Sequence, residues 1–439
     1  MVACGMKITF IRPEMTGRQS SDALKPAVFA VLYSLTPGDV DAVFYDECVE
    51  KLPEVVDGDA VVFSVETLTA RRVYALVRKY RQGNPGLKVI MGGFHPTAVP
   101  DEALQYADSI VTGDAEPVWE KVIADLRGGS LKSVYKSENG VMLPFCKTDH
   151  SVFKGKKYAK IGVVQWKRGC VYNCNFCSIR AFYKSCVAER EISDVISEIA
   201  EAKEKIIFIA DDNLLHDREK LKLFLTELVP LKKKWGCQIS INVAKDHEIL
   251  GLMKKSGCIM AIVGFESLSD GTLSEIGKQQ RFADYDDAVR TMHSYGIMFY
   301  ATFIFGYPGD TIDSFGRVYE FVMKHKMAIV NFNPLLVMPG TSIYEEYNKQ
   351  GKLTDPQWWL SESYNYGDAT HYPDNMTTEQ LAEGCKKLRY TFYSIRSILW
   401  RVFKPVNIRN LTVYTLINII SYIEIRRKQR LKLGGDIQT

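Results

Sequence analysis

The chain has 439 residues, of which 46% are hydrophobic and 25% are charged, and this is enough apolar material for the cores of two or three globular domains. The net charge of +4 is too small to indicate a nucleic-acid partner by itself, and no uninterrupted apolar run is long enough to span a bilayer. Ten cysteines without a paired framework or a secretory leader predict a reducing, cytoplasmic location.

Short apolar segments alternate with helical patterns over residues 1–135. Such alternation predicts βαβ units and a parallel, doubly wound sheet, whose ligands bind at the carboxyl ends of the strands. Residues 1–135 are therefore predicted to form one ligand-binding domain, and residues 136–159 a linker. The predicted strands are Lys7–Ile11, Val40–Tyr45, Ala60–Val65, Lys88–Met91 and Ser109–Val111, and the predicted helices are Ala27–Leu35, Arg71–Arg81, Asp101–Tyr106 and Pro117–Leu126.

The alternation of strands and helices resumes over residues 160–345. Six units fit in this span, whereas a closed eight-fold barrel typically needs about 250 residues. The spacing therefore predicts a partial (β/α)6 barrel. Its predicted strands are Ile161–Trp166, Lys205–Ala210, Gln238–Ala244, Met260–Phe265, Tyr300–Phe305 and Ala328–Phe332, with helices such as Ile192–Lys203 and Arg218–Lys233 between them.

The first barrel strand leads into a loop with three closely spaced cysteines, Cys170, Cys174 and Cys177. Thiolates at this spacing can converge on one soft-metal centre, and an iron–sulfur cluster with three local cysteines leaves one iron open for a substrate. The first alternative is a zinc site, for which His150 and Cys186 lie too far along the chain to complete a tidy local ligand set. The second is a disulfide, which would leave one thiol unpaired.

The segment RGCVYNCNFC, from Arg168 to Cys177, resembles the cluster loop of the radical S-adenosylmethionine (SAM) enzymes. The resemblance implies that the three cysteines hold a 4Fe-4S cluster, that the open iron binds SAM, and that Phe176 contributes to the SAM site. It further implies that reduction of SAM yields a 5′-deoxyadenosyl radical. An electron donor such as flavodoxin or ferredoxin is then expected.

Segments that follow later barrel strands resemble the SAM-binding segments of the same family. Asp211 and Asp212 follow the second strand, where the family binds the SAM ammonium, although Asp212 is equally consistent with a helix N-cap. Glu266 and Ser267 follow the fourth strand, and Glu266 would hold a ribose hydroxyl or the ammonium. Gly306 lies in a segment that resembles the loop passing the adenine, and the alternative for it is a plain Pro-Gly turn.

The first domain resembles the cobalamin-binding domain of one radical SAM subclass. The likeness rests on the segments GGFHPTAVPDEAL, which begins at Gly92, and TGDAEPVWEKVI, which begins at Thr112. It implies that cobalamin is bound at the carboxyl ends of the strands by Ser64, Gly92, Gly93, Thr112 and Gly113. The alternatives for this domain are a binder of flavin or of another small molecule, or a degenerate scaffold.

The loop after the first strand departs from the cobalamin-domain pattern. Many such domains carry Asp-x-His-x-x-Gly there, whereas this chain has a carboxylate, Glu14, at the His position. Members of the subclass commonly lack this His, so cobalamin is still expected, without a cobalt ligand from this loop. We interpret His95 as part of the loop structure and not as a metal ligand.

Residues 346–439 are predicted to form a helical substrate-binding or capping region. Aromatic residues, including Trp358 and Trp359, are expected to cap the barrel mouth and not to bind nucleic acid, since no basic groove interleaves with them. A helix is predicted from Thr378 to about Phe403. The apolar stretch Leu411–Ile425 and the basic residues after it either pack on the barrel or lie on a membrane surface, where they could hold a lipid.

The likeness covers most of the chain, and the segments GKQQ and FIFGYPGDT resemble the subgroup of the hopanoid methylases and the anaerobic magnesium-protoporphyrin ester cyclase. It implies a cobalamin-dependent radical SAM methyltransferase that methylates an unactivated carbon of a hydrophobic, lipid or isoprenoid, substrate. One alternative is a radical reaction without methyl transfer, such as oxidative ring closure. The other is a metal- or nucleotide-binding regulatory protein with a vestigial barrel.

Overall fold

The computed structural model describes residues 5–20, 23–137, 148–429 and 431–435. Within these ranges the chain forms two six-stranded parallel sheets, one two-stranded ribbon and a set of helices around them. The centre of the predicted linker, residues 138–147, and Arg430 of the predicted basic tail lie outside the described residues.

The first sheet has the flavodoxin-like strand order β2-β1-β3-β4-β5-β6, with every neighbouring pair parallel. The five predicted strands are present. The sixth, VYK, is too short to stand out from its polar surroundings in the sequence. The strands are β1 (Lys7–Arg12), β2 (Asp41–Asp46), β3 (Ala60–Ser64), β4 (Lys88–Gly92), β5 (Ser109–Thr112) and β6 (Val134–Lys136).

Helices cover both faces of this sheet, which makes it doubly wound. Val73 and Val77 pack on one face, and Phe29 and Trp119 pack on the other. The predicted helix Asp101–Tyr106 is replaced by two shorter helices that lie earlier in the chain. The helices are α1 (Ala27–Leu35), α2 (Ala70–Gly83), α3 (Phe94–Ala98), α4 (Pro100–Ala103) and α5 (Glu116–Arg127).

The described part of the predicted linker packs against the first sheet. The rings of Phe153 and Phe44 lie 5.8 Å apart, and the Tyr158 hydroxyl donates a hydrogen bond of 2.7 Å to Asp46. These contacts tie residues 148–159 to the first domain, directly before the barrel begins.

The second sheet has its six parallel strands in sequential order, and its first and last strands are not paired with each other. It is therefore an open, partial barrel, as predicted. Its strands are β7 (Gly162–Val164), β10 (Ile206–Ile209), β11 (Lys234–Gln238), β12 (Cys258–Glu266), β13 (Met298–Phe305) and β14 (Ile329–Pro334), and β8 (Lys167–Arg168) pairs with β9 (Ala188–Glu189) as a separate antiparallel ribbon.

The barrel helices follow their strands in the usual alternation and bury apolar faces against the sheet. Helix α6 begins directly after the last of the three cysteines. The helices are α6 (Ser178–Tyr183), α7 (Ile192–Glu201), α8 (Arg218–Leu228), α9 (His247–Ser256), α10 (Asp270–Glu275), α11 (Tyr285–Ser294), α12 (Ile312–Lys324) and α13 (Ser342–Lys349).

The third barrel strand was predicted at the wrong place. It was expected over Gln238–Ala244, but β11 ends at Gln238 and residues Ile241–Lys245 form a 3₁₀ helix. The preceding helix ends at Leu228, and Lys232, with φ of +52°, turns the chain into the strand early. The error therefore arises from extending the helix across a proline-containing turn.

The C-terminal region joins the two domains. The single helix predicted over Thr378–Phe403 is broken at Tyr393, because Ser394 caps a new helix. None of the described helices is long and apolar enough to cross a membrane. The region contains α14 (Thr378–Phe392), which packs on β14, followed by α15 (Ile395–Val402), α16 (Pro405–Arg409) and α17 (Leu411–Lys428).

The two tryptophans ahead of α14 connect the two domains. They do not cap the barrel mouth, contrary to our expectation. Trp358 and Trp359 are buried in the core on the α2 side of the first sheet. The end of the chain returns to the same core, where Leu433 is buried and the Gly434 N–H donates a hydrogen bond of 2.7 Å to the Met15 carbonyl. The first domain thus takes part of its core from the last described residues.

Candidate active site where the two sheets meet

The loops at the carboxyl ends of the two sheets lie against each other. The ring of Phe94, after β4, lies 4.7 Å from the ring of Phe182 in α6. The loop after β14 approaches the same region, since a Cβ on Gly340 would lie 3.2 Å from the Ala98 Cβ. The edge of the first sheet thus faces the loop of the three cysteines.

An ion pair connects these two edges. Arg168, two residues before the first cysteine, pairs with Glu116, and its Nη1 lies 3.5 Å from the Asp114 carboxylate. The Tyr183 hydroxyl donates a hydrogen bond of 3.1 Å to Asp114. Burial lowers the pKa of Arg168, but the two carboxylates and Tyr183 more than offset this and raise it above its usual value. The guanidinium is therefore charged and fixes the cysteine loop to the first domain.

The three cysteines are free thiols on one loop. Burial raises the pKa of each, and that of Cys174 rises to about 12. Cys177 stands at the N-cap position of α6 without a side-chain capping hydrogen bond, and the N–H groups of Arg180 and Ile179 lower the pKa of its thiol in turn. Bound iron would supply the positive charge that thiolates need in so buried a position.

The arrangement of the thiols fits a cluster better than a single ion. Among the described residues, no group of three or more His, Cys, Asp or Glu side chains is arranged to hold one metal ion. A 4Fe-4S cluster does not require such a group, because each cysteine binds a different iron. Within the described ranges, the zinc alternative therefore lacks a ligand set.

Asp211 supports the start of the cysteine loop. Its Oδ1 accepts hydrogen bonds from the N–H groups of Trp166 (2.8 Å) and Lys167 (2.9 Å). Its Oδ2 is buried and has no hydrogen-bond partner among the described residues. Burial raises the pKa of this carboxyl to about 7. The observed contacts give Asp211 a role in the loop, and its predicted role toward SAM stays a prediction.

Asp212 makes a similar contact with the cysteine loop, at Gly169. Its Oδ2 accepts a hydrogen bond of 2.7 Å from the N–H of Gly169, whose φ of +92° favours glycine. A side chain at Gly169 would collide with the Cys186 carbonyl. The N-cap alternative for Asp212 is wrong, because Asp217 caps α8.

Glu266 is buried at the end of β12 and has a strained backbone, with φ of +62°. Its Oε1 lies 3.0 Å from the Nζ of Lys278, and the Thr302 hydroxyl donates a hydrogen bond of 3.3 Å to Oε2. Burial lowers the pKa of Lys278, but Glu266, Cys174 and Cys177 more than offset this and raise it. A charged lysine therefore lies next to the cysteines.

No local pattern in the sequence indicates the position of this lysine. Lys278 belongs to the GKQQ segment, which was noted only for its likeness to a subgroup. The segment approaches the cysteine loop closely, since a Cβ on Gly277 would lie 2.6 Å from the Asn173 carbonyl oxygen. The N–H of Asn175 also donates a hydrogen bond of 3.1 Å to the Ile276 carbonyl. This contact between distant segments has no local signature.

The other predicted SAM residues lie around the same region. Ser267 is buried, and its hydroxyl accepts a hydrogen bond of 3.2 Å from the Ser269 N–H. The ring of Phe176 lies 6.4 Å from that of Tyr307, whose hydroxyl is buried and has no hydrogen-bond partner among the described residues.

The backbone N–H and the backbone carbonyl of Gly306 both have hydrogen-bond partners within the chain. Its N–H donates a hydrogen bond of 3.0 Å to Asp310, and its carbonyl lies 2.8 Å from the Nε2 of His371. Its φ of +107° and the contact with His371 explain why a glycine stands here. Its predicted contact with adenine would require these bonds to be shared or exchanged, and it stays a prediction.

The predicted cobalamin residues share one edge of the first sheet. Ser64 is paired with Gly92 in the register of β3 and β4. Gly93, with φ of +108°, and Gly113, with φ of +82°, follow their strands without side chains. Because these positions carry no side chain, a large, flat ligand can approach the edge of the sheet closely, so the edge fits cobalamin. The individual contacts stay predictions.

Two side chains that resemble metal ligands are used inside the first domain. The Glu14 Oε2 accepts hydrogen bonds from the N–H (2.6 Å) and the hydroxyl (2.7 Å) of Thr16. His95 is fully buried, with its Nε2 3.0 Å from both the Tyr74 hydroxyl and the Glu102 carboxylate. Both therefore have structural roles, as we interpreted for His95.

Comparison with known proteins finds two family models that match separate parts of the chain. The family model of the radical SAM superfamily matches residues 164–322, and that of the B12 binding domain matches residues 25–123. Bacteriochlorophyllide d C-12(1)-methyltransferase of Chlorobaculum tepidum is 30% identical, over 84% of this chain and 82% of its own length. Bacteriochlorophyllide d C-8(2)-methyltransferase of the same organism is 27% identical, over 76% of this chain and 78% of its own.

Solved structures show the same fold. The cobalamin-dependent S-adenosylmethionine radical enzyme OxsB, solved with aqua-cobalamin and S-adenosylmethionine bound, superimposes with a TM-score of 0.68. The match covers 95% of this chain and 72% of OxsB at 13% identity. Both the sheet that we assigned to cobalamin and the open barrel are part of this shared architecture.

Proposed function

Since the chain belongs to the cobalamin-dependent radical SAM enzymes, we propose that it transfers a methyl group from SAM to an unactivated carbon of a hydrophobic substrate. Its cofactors are a 4Fe-4S cluster, SAM and cobalamin. When bound, these groups supply reductive cleavage of SAM to a 5′-deoxyadenosyl radical and a carrier for the methyl group.

The observation that carries this proposal is the direct contact between the two cofactor edges. Arg168 of the cysteine loop is paired with Glu116 of the cobalamin-binding domain. Hydrogen abstraction and methyl delivery must reach the same carbon atom, so the two centres must be held in a fixed relation. The ion pair and the contact of Phe94 with Phe182 give the chain a means of doing so.

The residues of the chain would act by binding and orientation. Cys170, Cys174 and Cys177 would hold the cluster, while Asp211 and Asp212 keep the loop in shape through its backbone N–H groups. Lys278 holds the Glu266 carboxylate, which the family likeness assigns to SAM. The remaining SAM contacts would come from Phe176, Ser267 and Gly306.

The substrate class is proposed from the relatives. Two methyltransferases that match most of this chain act on bacteriochlorophyllide d, which is a hydrophobic tetrapyrrole. A tetrapyrrole is therefore the first substrate to test, ahead of a lipid or an isoprenoid. A small electron carrier, flavodoxin or ferredoxin, would deliver the electron.

The decisive experiment is an anaerobic assay of protein reconstituted with iron, sulfide and cobalamin. The protein is supplied with a reductant, SAM labelled in its methyl group and a chlorophyllide-type substrate, and the products are identified by mass spectrometry. We expect labelled methyl in the product, together with 5′-deoxyadenosine and S-adenosylhomocysteine. Cys174→Ala, treated in the same way, should yield none of the three.

The alternatives give different products in the same assay. A ring-forming oxidation would release 5′-deoxyadenosine but would yield neither a methylated product nor S-adenosylhomocysteine. A regulatory protein with a vestigial barrel would not cleave SAM. Either result, obtained with iron and cobalamin bound, would contradict methyl transfer.

A further inference from the structure

A concentration of exposed apolar side chains lies on the last three helices. Single exposed hydrophobic residues are ordinary on soluble proteins, but a group of them marks an interaction site. Residues 395–423 carry nine large apolar side chains with exposed fractions from 41% to 68%. They are Ile395, Leu399, Trp400, Phe403, Ile408, Leu411, Leu416, Ile419 and Ile423.

The last helix, α17, carries large apolar side chains on the side that faces away from the barrel. Tyr414 and Asn418 are buried on the side that faces the barrel. Leu416, Ile419 and Ile423 are exposed, and at 3.6 residues per turn they fall on the other side. A surface helix normally turns polar residues to water. The outward side of α17 is therefore suited to an apolar environment and not to water.

Buried polar anchors hold these helices in place. The Arg401 guanidinium donates hydrogen bonds to the carbonyls of Met327 (2.9 Å) and Ala328 (2.7 Å) and to the Asn418 side chain (3.0 Å). The Asn407 side chain, in α16, donates one of 3.0 Å to the Lys326 carbonyl. Hydrogen bonds thus attach all three helices to the chain directly before β14. They fix the orientation of the exposed sides relative to the barrel.

The segment that carries this apolar surface is charged almost entirely with one sign. Between Lys386 and Lys432 the sequence has a single acidic residue, Glu424, and its side chain is buried. Among the described residues, no carboxylate lies within 4.0 Å of the charged groups of Arg396, Lys404 or Arg409. The flanking cations are therefore not neutralised by the protein itself.

Lys326 and Trp400 have the arrangement expected at a water–lipid boundary. The Lys326 Nζ lies 4.1 Å from the centre of the Trp400 ring, and Trp400 is 55% exposed. Tryptophan and basic residues are enriched where proteins meet the headgroups of a bilayer.

We propose that the outward side of α15–α17 binds peripherally to a bilayer surface that contains anionic lipids. The apolar side chains enter the headgroup boundary, and Arg396, Lys404 and Arg409 contact lipid phosphates. Since none of the described helices can span a membrane, the protein lies on the surface. This inference goes beyond the proposed function and does not depend on which reaction the enzyme catalyses.

Charge argues against a second copy of the chain as the occupant. A symmetric dimer through this surface would place the same patch on both sides of the interface. Arg396, Lys404 and Arg409 would then face either one another or apolar side chains, without any acidic partner from the patch. A lipid phosphate layer supplies the missing negative charge, whereas a second copy adds positive charge.

The test is cosedimentation of the full-length, reconstituted protein with vesicles. Vesicles of phosphatidylcholine with phosphatidylglycerol are compared with vesicles of phosphatidylcholine alone, at low and high salt. We expect binding to the anionic vesicles that weakens as salt is added. Replacing Trp400 and Phe403 together by Ser should weaken binding by about tenfold or more. The triple variant R396Q, K404Q, R409Q should lose the preference for anionic lipid.

Matched controls use exposed residues elsewhere on the protein. The double variant Leu223→Ser, Ile312→Ser removes two apolar side chains of 53% and 48% exposure, and Lys254→Gln with Lys255→Gln removes two exposed cations; both should bind as the parent does. The proposal is overturned if the parent protein fails to bind anionic vesicles. It is also overturned if sedimentation shows a dimer that the Trp400, Phe403 variant abolishes.

Discussion

The guanidinium of Arg168 and the carboxylate of Glu116 form an ion pair between the cysteine loop and the cobalamin-binding domain. Replacing Glu116 by Gln should leave the cluster intact but loosen the alignment of the two cofactor edges. We expect iron content and 5′-deoxyadenosine formation to be kept, while methylated product falls by about tenfold or more. Glu120→Gln, an exposed change on the same helix, is the control; equal losses in both variants would contradict a specific role for the pair.

Each of the three loop cysteines should be necessary for the iron–sulfur cluster. Ala at Cys170, Cys174 or Cys177 removes a thiolate that no nearby described residue can replace, so we expect loss of the brown colour and of SAM cleavage. Iron analysis and the visible spectrum of anaerobically reconstituted protein provide the measurement. Cys186→Ala, at an exposed thiol on the same segment, should retain both, and loss of iron in that variant would add a ligand to the set.

Gly92 and Gly93 allow stability to be separated from cobalamin binding. Ala at Gly93 would combine a φ of +108° with a Cβ 2.8 Å from the Val65 carbonyl oxygen, and it should cost roughly 1–3 kcal/mol of folding free energy. Ala at Gly92 meets nothing closer than 3.7 Å, so this variant should fold as the parent does. Its methyl group on the sheet edge should still weaken cobalamin binding. Thermal unfolding and a spectroscopic cobalamin titration test both statements, and unchanged affinity in Gly92→Ala would place the ligand elsewhere.

Lys278 and Glu266 should depend on each other for stability. With Lys278→Gln, the buried Glu266 carboxylate loses the partner 3.0 Å away, and unfolding free energy should fall by roughly 3–5 kcal/mol. In the double variant with Glu266→Gln no buried charge is left unpaired, so part of this loss should be recovered. Denaturant titrations of the single and double variants measure the coupling; strictly additive losses would mean that the two side chains do not interact.

Asp310 should contribute a specific pH dependence to stability. Burial raises the pKa of this carboxyl to about 6, so the folded protein binds a proton more tightly than the unfolded chain does. Its contribution to stability is therefore largest in acid and falls by roughly 2–3 kcal/mol as pH rises from about 4 to about 6, with little change above that. Asp310→Asn lacks this dependence. Denaturant titrations across this range should show the unfolding free energy of the parent falling by this amount relative to that of Asp310→Asn as pH rises; a constant difference would contradict the raised pKa.

The fold could be predicted where buried parallel strands appear as apolar runs between helices. This held for IIFI of β10 and for most strands of the first sheet. It failed for β11, because its sequence KWGCQ is less apolar than the segment that follows, INVAK, which forms a 3₁₀ helix. Burial of β11 comes from its neighbours in the sheet, which a local window of sequence does not contain.

The candidate site could be predicted only where its residues are neighbours in sequence. The cysteines were found from their spacing, which needs no knowledge of the fold. Lys278, and the pairing of Arg168 with a residue 52 positions away, depend on the meeting of loops that are distant in the chain. Asp211 and Asp212 were noticed for their charge, but their backbone partners could be identified only from the structure.

The packing of Leu433 in the core beneath α2 affects how the first domain folds during translation. The first sheet leaves the ribosome early, yet Trp358, Trp359 and Leu433, which complete one of its two cores, are synthesised long afterwards. Until then α2 covers that face of the sheet only in part, and exposed apolar surface of this kind is what chaperones protect during translation. The first domain can therefore complete this core only after Leu433 has been synthesised.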